Sequence, residues 1–181
     1  MKNKDNPKAV IKETTKYGKA VFAKAKIKAG EIISVFDGKY YEAKRAMLLP
    51  DVPPVRAGRH AVQFDKTKWR DGKVKGVARC LAHSCDPNCG IKNFFEIVTM
   101  RDIEKGEELT WDYAMTENSD FRMECKCGAK SCRKIIGAYS MLSPKFRKKY
   151  KGFISEWLTK KPIKKTGPMD LSKSNLVCWE K

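Results

Sequence analysis

The chain has 181 residues, 41% of them hydrophobic, which suits one compact domain with a short extension and gives it material for a core. Charged residues make up 33% and no apolar run approaches the ~20 residues of a spanning helix, which excludes a helical membrane protein. Thirty-nine Lys and Arg against 21 Asp and Glu give a formal charge of +18, which either attracts polyanions such as nucleic acid or marks a solvated lysine-rich surface. The basic, polar residues 1–10 lack the apolar stretch of an ordinary secretory signal, so an intracellular protein is expected.

In chain order, the first half reads as short strands. Residues 19–25 alternate loosely, Ala29-Gly30 makes a turn, and residues 31–36 read as a second strand. Asp37-Gly38 is a hairpin signal leading into Lys39-Tyr40-Tyr41. Residues 42–49 suit one or two helical turns, and residues 50–54, with three prolines, make a loop. Further strands are expected at residues 60–64, 94–100 and 108–113, with turns at Asp71-Gly72 and Lys105-Gly106. Many short strands with few helices predict a mostly β domain. Near the end, Ser143-Pro144 supplies an N-cap and a first-turn proline. A helix from there places Phe146, Tyr150, Phe153, Trp157 and Leu158 on one face, packed on the domain. Gly152 weakens that helix by roughly 1 kcal/mol.

Seven cysteines, odd in number and clustered, point to metal rather than disulfides in a reducing compartment. Cys125-Lys126-Cys127 and then Cys132 put three thiols on one short loop, which can wrap a tetrahedral zinc ion. By spacing alone the fourth ligand is open among Cys80, Cys85, Cys89 and Cys178.

Three motifs follow one another in order. His83-Ser84-Cys85-Asp86-Pro87-Asn88 is followed by Gly106-Glu107-Glu108-Leu109-Thr110-Trp111-Asp112-Tyr113, then by Phe121 and the cysteine loop ending Cys132-Arg133. In this order, over about residues 15–137, they resemble the signature of SET-domain protein-lysine methyltransferases with a post-SET zinc-binding loop. Tyr17-Gly18-Lys19-Ala20 and Gly76-Val77-Ala78-Arg79 match smaller family segments.

The resemblance implies a β-clip-like fold of small curved sheets with a pseudoknot, plus a C-terminal zinc loop and helix. Its divisions would be an N-terminal extension at 1–14, a SET domain at 15–117, a post-SET loop at 118–137 and a basic helix and tail at 138–181. It implies transfer of a methyl group from S-adenosylmethionine to lysine in a protein substrate, either a histone or another DNA-associated protein. Cys85 would complete the zinc site with Cys125, Cys127 and Cys132. Tyr113 would be the catalytic residue, orienting the lysine amine. Tyr17, Gly18, Lys19, Ala82, His83, Tyr113 and Arg133 would meet the cofactor, with Arg133 and the isoleucines after it closing over the adenine. Trp111, His60 and Phe36 would line the substrate channel.

Two departures from the family pattern stand near the cofactor: Ala20 replaces a second Gly, and Ala82 replaces an Asn whose side chain bonds the adenosyl group. Together with Phe36, they also suit a rival reading, a weak or dead SET fold acting as a protein-interaction module. A basic zinc protein that binds nucleic acid is the other rival. The substrate is expected as an extended segment along a strand edge, in a groove lined by acids among Asp37, Asp65, Asp112 and Glu117. If the Trp111 ring swings outward, addition of more than one methyl is expected.

Overall fold

A computed structural model describes residues 5–15, 18–42 and 61–160, and the backbone of a short strand at 177–178. Tyr17, His60 and nearly all of the helical turns expected at 42–49 lie outside the described residues.

Strand β1 (Ala9–Thr14) pairs antiparallel with β2 (Gly18–Ala23), so much of the segment expected as an extension is a strand of the fold. Next come β3 (Ile32–Val35), β4 (Tyr40–Glu42), β5 (Val62–Gln63) and β6 (Lys68–Arg70). Then follow β7 (Ala82–His83), β8 (Cys89–Lys92), β9 (Glu96–Thr99), β10 (Thr110–Trp111), β11 (Met123–Glu124) and β12 (Ile135–Ile136). Helices α1 (Pro144–Lys149) and α2 (Glu156–Thr159) are short, and β13 (Val177–Cys178) joins the edge of β4. The expectation of a mostly β chain with few helices holds.

The central sheet has the order β3-β9-β8-β10-β7. β10 lies between β7 and β8 and runs parallel to both. The short link from β7 to β8 must therefore cross β10, which is the threading of a pseudoknot. β10 is only two residues long, and a side chain extends its pairing. The buried Asn88 amide donates to the Glu108 carbonyl at 2.8 Å and accepts from the Thr110 N–H at 2.9 Å, as a strand neighbour would. The core beneath includes Ile33, Ile91, Ile97, Leu109 and Met115, all fully buried. Each contributes about 1.5–3 kcal/mol by leaving water.

Two local expectations are corrected. Asp37-Gly38 does not close a hairpin: β3 pairs with β9, while β4 pairs with β6 in another sheet. Instead the two Asp-Gly turns pack backbone to backbone, with the Gly38 N–H on the Asp71 carbonyl at 2.8 Å. A Cβ on Gly38 would collide with the Gly72 carbonyl, so glycine serves close approach here rather than an unusual φ. The single C-terminal helix is also broken. It ends at Lys149, Gly152 takes a φ of 84°, and the chain restarts as α2. A left-handed glycine ends a helix readily.

Candidate active site and thiol cluster

Cys85, Cys125, Cys127 and Cys132 converge, with their four Sγ atoms within 4.8 Å of one another. Zn–S bonds of about 2.3 Å in a tetrahedron need sulfurs about 3.8 Å apart, and the Cys85–Cys125 pair stands at 3.7 Å. Backbone N–H groups of Arg133 and Lys134 already point at Cys85 and Cys132 Sγ, each at 3.4 Å. Such donors stabilise thiolate, the form that binds metal. Without a metal, burial holds the Cys85 thiol up at about 11. Burial pushes Cys127 the same way, but hydrogen bonds from backbone and neighbouring thiols outweigh it and bring it down to about 7. The donor set and its dimensions fit zinc. Cys89 belongs instead to the apolar core, its thiol raised by burial to about 12, and Cys80 stays outside the cluster.

Tyr113 lies at the seam between two cores, packing against both the sheet core and the thiol cluster. It opens a 3-10 turn, Tyr113–Met115, just after β10. Its hydroxyl donates to the Leu81 carbonyl at 3.3 Å, and its ring stands edge-on to His83, with centroids 5.1 Å apart. His83 Nδ1 accepts the Tyr113 N–H at 3.3 Å, while Nε2 lies 3.4 Å from Cys85 Sγ. Nδ1 is therefore the acceptor and Nε2 carries the proton. Burial lowers the His83 pKa to about 4, which keeps the ring neutral and suits positioning rather than proton transfer. The Trp111 ring packs on Phe36 at 5.8 Å and on Tyr113 at 5.1 Å.

Asp112 is fully buried between these groups. Its carboxylate takes both Arg133 Nη atoms at 2.6 and 2.8 Å, the Ala114 N–H at 3.1 Å and the Tyr150 hydroxyl at 3.0 Å. A buried carboxylate is tolerable only with such compensation. The same Tyr150 hydroxyl lies 3.2 Å from the Cys85 carbonyl.

The site residues named from sequence are placed as follows. Phe36, Trp111, Tyr113 and His83 come together, and Ala82 flanks them, paired with Thr110. Gly18, with a φ of 82°, and Lys19 are exposed at the start of β2. The Lys19 charge is close enough to favour the Cys80 thiolate, which brings β2 to the segment leading into β7.

The Arg133 guanidinium faces Asp112 and lies 5.0 Å from the Phe146 ring centroid, because the buried carboxylate needs it. Two expectations are corrected. Asp112 cannot line an acidic groove, being fully buried. The Trp111 ring is not swung outward, being only 3% exposed.

Tyr150 and the Leu81 carbonyl escaped sequence reading. The aromatic stripe marked Tyr150 as a packing residue, and no sequence pattern signals where a hydroxyl will land. Asp112 beside Tyr113, and Arg133 beside Cys132, were visible as opposite charges at the two ends of the site.

A cluster of four thiols is thus joined to a threaded β-sheet by the buried Asp112–Arg133 pair, with Tyr113 at the seam. The family model described as "SET domain" matches residues 18–114, more than half of the chain, and the chain belongs to that family. It is 30% identical over 142 residues to the human protein named histone-lysine N-methyltransferase 2B, covering 66% of this chain and 5% of that one. It is 42% identical over 73 residues to the Emericella nidulans protein named histone-lysine N-methyltransferase, H3 lysine-4 specific, covering 35% of this chain and 6% of that one. The chain thus spans a small fraction of the length of these curated relatives. In fold it is similar to the crystal structure of KRYPTONITE in complex with mCHG DNA and SAH, with a TM-score of 0.56 at 24% identity, over 75% of this chain and 30% of that one.

Proposed function

We propose that this chain transfers methyl groups from S-adenosylmethionine to the side-chain amine of a lysine in a protein substrate, with zinc held by Cys85, Cys125, Cys127 and Cys132. The observation that carries this reading is the Tyr113 hydroxyl, held against the Leu81 carbonyl beside the buried Trp111 and Phe36 rings. Two oxygens converging at an aromatic wall suit a methyl polarised by positive sulfur, whose C–H groups make weak hydrogen bonds to oxygen. Lys19, exposed at the start of β2 and 3.8 Å from Glu13, is the cation assigned to the carboxylate end of the donor. S-adenosylmethionine supplies an electrophilic methyl on a sulfonium.

The chain's own residues supply alignment and dryness. A free lysine has a pKa of about 10.4 and is almost wholly protonated near neutrality. The Phe36–Trp111 wall strips water from an inserted ammonium, which favours the neutral amine. The proton leaves to water, since His83 has both nitrogens engaged. The Tyr113 hydroxyl orients the amine lone pair, and proximity does most of the rest. The inward Trp111 ring takes up room beside Tyr113, so bulk favours stopping after few methyl groups.

The substrate is read as a histone or similar DNA-associated protein presenting an extended segment, which places the enzyme where such proteins are. Of the four acids considered for steering, Asp37 is paired with Lys73 at 3.0 Å and Glu117 takes the Ser119 N–H at 2.8 Å, which leaves Asp65 exposed. Contact with nucleic acid has narrower support: Lys130 and Lys145 line a surface depression of about 620 Å³ in which Lys149 is paired with Asp86 and Arg133 with Asp112. Duplex DNA binding that weakens steeply with salt would bear this out.

The test of the main reading is mass spectrometry of core histones incubated with isotopically labelled S-adenosylmethionine. Labelled methyl-lysine is expected with the wild type and far less with Tyr113→Phe. Histones left unlabelled by the wild type would overturn the reading, and equal labelling by both proteins would remove Tyr113 from it.

A further inference from the structure

The segment that follows the cysteine loop lies beyond the matched family span, yet it touches both flanks of Tyr113. Upstream of that tyrosine, the Tyr150 hydroxyl reaches Asp112 at 3.0 Å and the Cys85 carbonyl at 3.2 Å. Downstream, the Ser155 N–H donates to the Met115 carbonyl at 2.9 Å, and Trp157 Nε1 donates to the Thr116 carbonyl at 2.8 Å. Between them, the Phe153 carbonyl takes the Ile91 N–H at 2.9 Å, and Phe153 sits so close to Gly90 that a Cβ there would come within 2.5 Å of it. Tyr150 is fully buried and its pKa is pushed up, by burial and by the Asp112 charge.

We propose that Tyr150 is a positioning residue for methyl transfer, its hydroxyl, held between the Asp112 carboxylate and the Cys85 carbonyl, tying the turn that carries Tyr113 to the backbone of the thiol ligand Cys85. The inference rests on the reading of this chain as a lysine methyltransferase. Asp112 is the hub. It caps the Tyr113–Met115 turn through the Ala114 N–H, and its remaining lone pairs go to Arg133 from the zinc loop and Tyr150 from the C-terminal segment. Loss of the Tyr150 hydroxyl leaves the carboxylate to Arg133 and the Ala114 N–H. Asp112 then turns toward the guanidinium, and the turn, with the Tyr113 ring, is free to shift away from Leu81. Misplacement of a reacting group by a fraction of an ångström lowers turnover without loosening substrate binding.

The experiment compares wild type, Tyr150→Phe and, as a control in the 3-10 turn Tyr139–Met141 that precedes α1, Tyr139→Phe, all with zinc loaded. With an H3 tail peptide, Tyr150→Phe is expected to lower kcat about tenfold, as for one lost charge-assisted hydrogen bond. KM for the peptide, zinc content and S-adenosylmethionine affinity by calorimetry should stay within about twofold, and Tyr139→Phe should change none of these. NMR of protein labelled with 13C in its tyrosine rings should show the Tyr113 signals moving in Tyr150→Phe and staying still in Tyr139→Phe. Unmoved Tyr113 signals in a folded, zinc-loaded Tyr150→Phe protein would overturn the proposal. So would a fall in kcat that only follows loss of zinc or of thermal stability. The NMR arm needs no turnover, so it decides the matter even if the wild type transfers no methyl and the enzymatic reading falls.

Discussion

Two adjoining regions of this chain are held together in different ways. The five-stranded sheet rests on stacked aliphatic side chains such as Ile33, Ile91 and Leu109. The cysteine loop, residues 121–136, buries Cys125 and Ile136, and packs with Cys85. It meets the sheet through the four-thiol cluster and the buried Arg133–Asp112 ion pair. Apolar burial is tolerant of small shifts, whereas metal ligation and charge pairing are directional. Tyr113 stands where the apolar support meets the directional one.

That contrast is sharpened most by removing metal. Chelation, or Cys127→Ala, should empty the site and release the loop, with apparent zinc-binding energies of order 10 kcal/mol at stake. The β signal in far-ultraviolet circular dichroism should persist while methyl transfer and cofactor affinity collapse. Metal analysis should find one zinc per wild-type chain.

Arg133→Ala comes next, because it strands a buried carboxylate, at a cost of about 3–5 kcal/mol. Adding Asp112→Asn should recover part of the loss, and denaturant titration of the three variants reads it directly. Tyr113→Phe should lower turnover by ~100-fold, close to 3 kcal/mol on the barrier, with an unchanged unfolding midpoint. Gly90→Ala tests the apolar side of the joint: the new methyl meets Phe153, and overpacking should cost about 1–3 kcal/mol.

The smallest effect lies at the surface. The Lys8 ammonium, 2.8 Å from Glu31, holds that carboxyl below its ordinary value of 4.5. The pair's contribution is therefore present above that value and is lost as pH falls through the lowered folded pKa. Both side chains are partly exposed, so Lys8→Ala should cost less than about 1 kcal/mol, and salt should shrink the difference.

Much of this was legible in the sequence because the signals were local. β-branched and aromatic runs marked β2, β3, β5, β9 and β10, and three cysteines within eight positions marked the thiol loop. What was not legible depended on distant partners. Asp37-Gly38 has the chemistry of a hairpin turn, but the backbone it meets is another Asp-Gly turn more than thirty residues on. Trp111 is large enough to suggest an outward swing, yet Phe36 and Tyr113 leave a pocket that takes its ring. Asp112 looked available to a substrate because its partners, Arg133 and Tyr150, arrive only from beyond the reacting strand. Spacing alone left Cys80, Cys85, Cys89 and Cys178 open as the fourth thiol. The His83-Ser84-Cys85 motif narrowed them to Cys85, the thiol that joins the cluster.

The insertion of β10 between β7 and β8 governs how the molecule comes off the ribosome. Synthesis runs from one end at about 5–20 residues per second, so β7 and β8 emerge while the strand that separates them does not yet exist. For some seconds they are two open edges, and if they closed on each other they would bar the way to β10. A chaperone that shields those edges would find its substrate in that interval. The interval ends in stages, first when residues 110–111 slip into place, then when the cysteine loop arrives, and last when Tyr150 emerges to lock both. A message cut short before that codon would leave the Ile91 N–H of β8 without the Phe153 carbonyl, the core without Ile154 and Asp112 without its tyrosine hydroxyl.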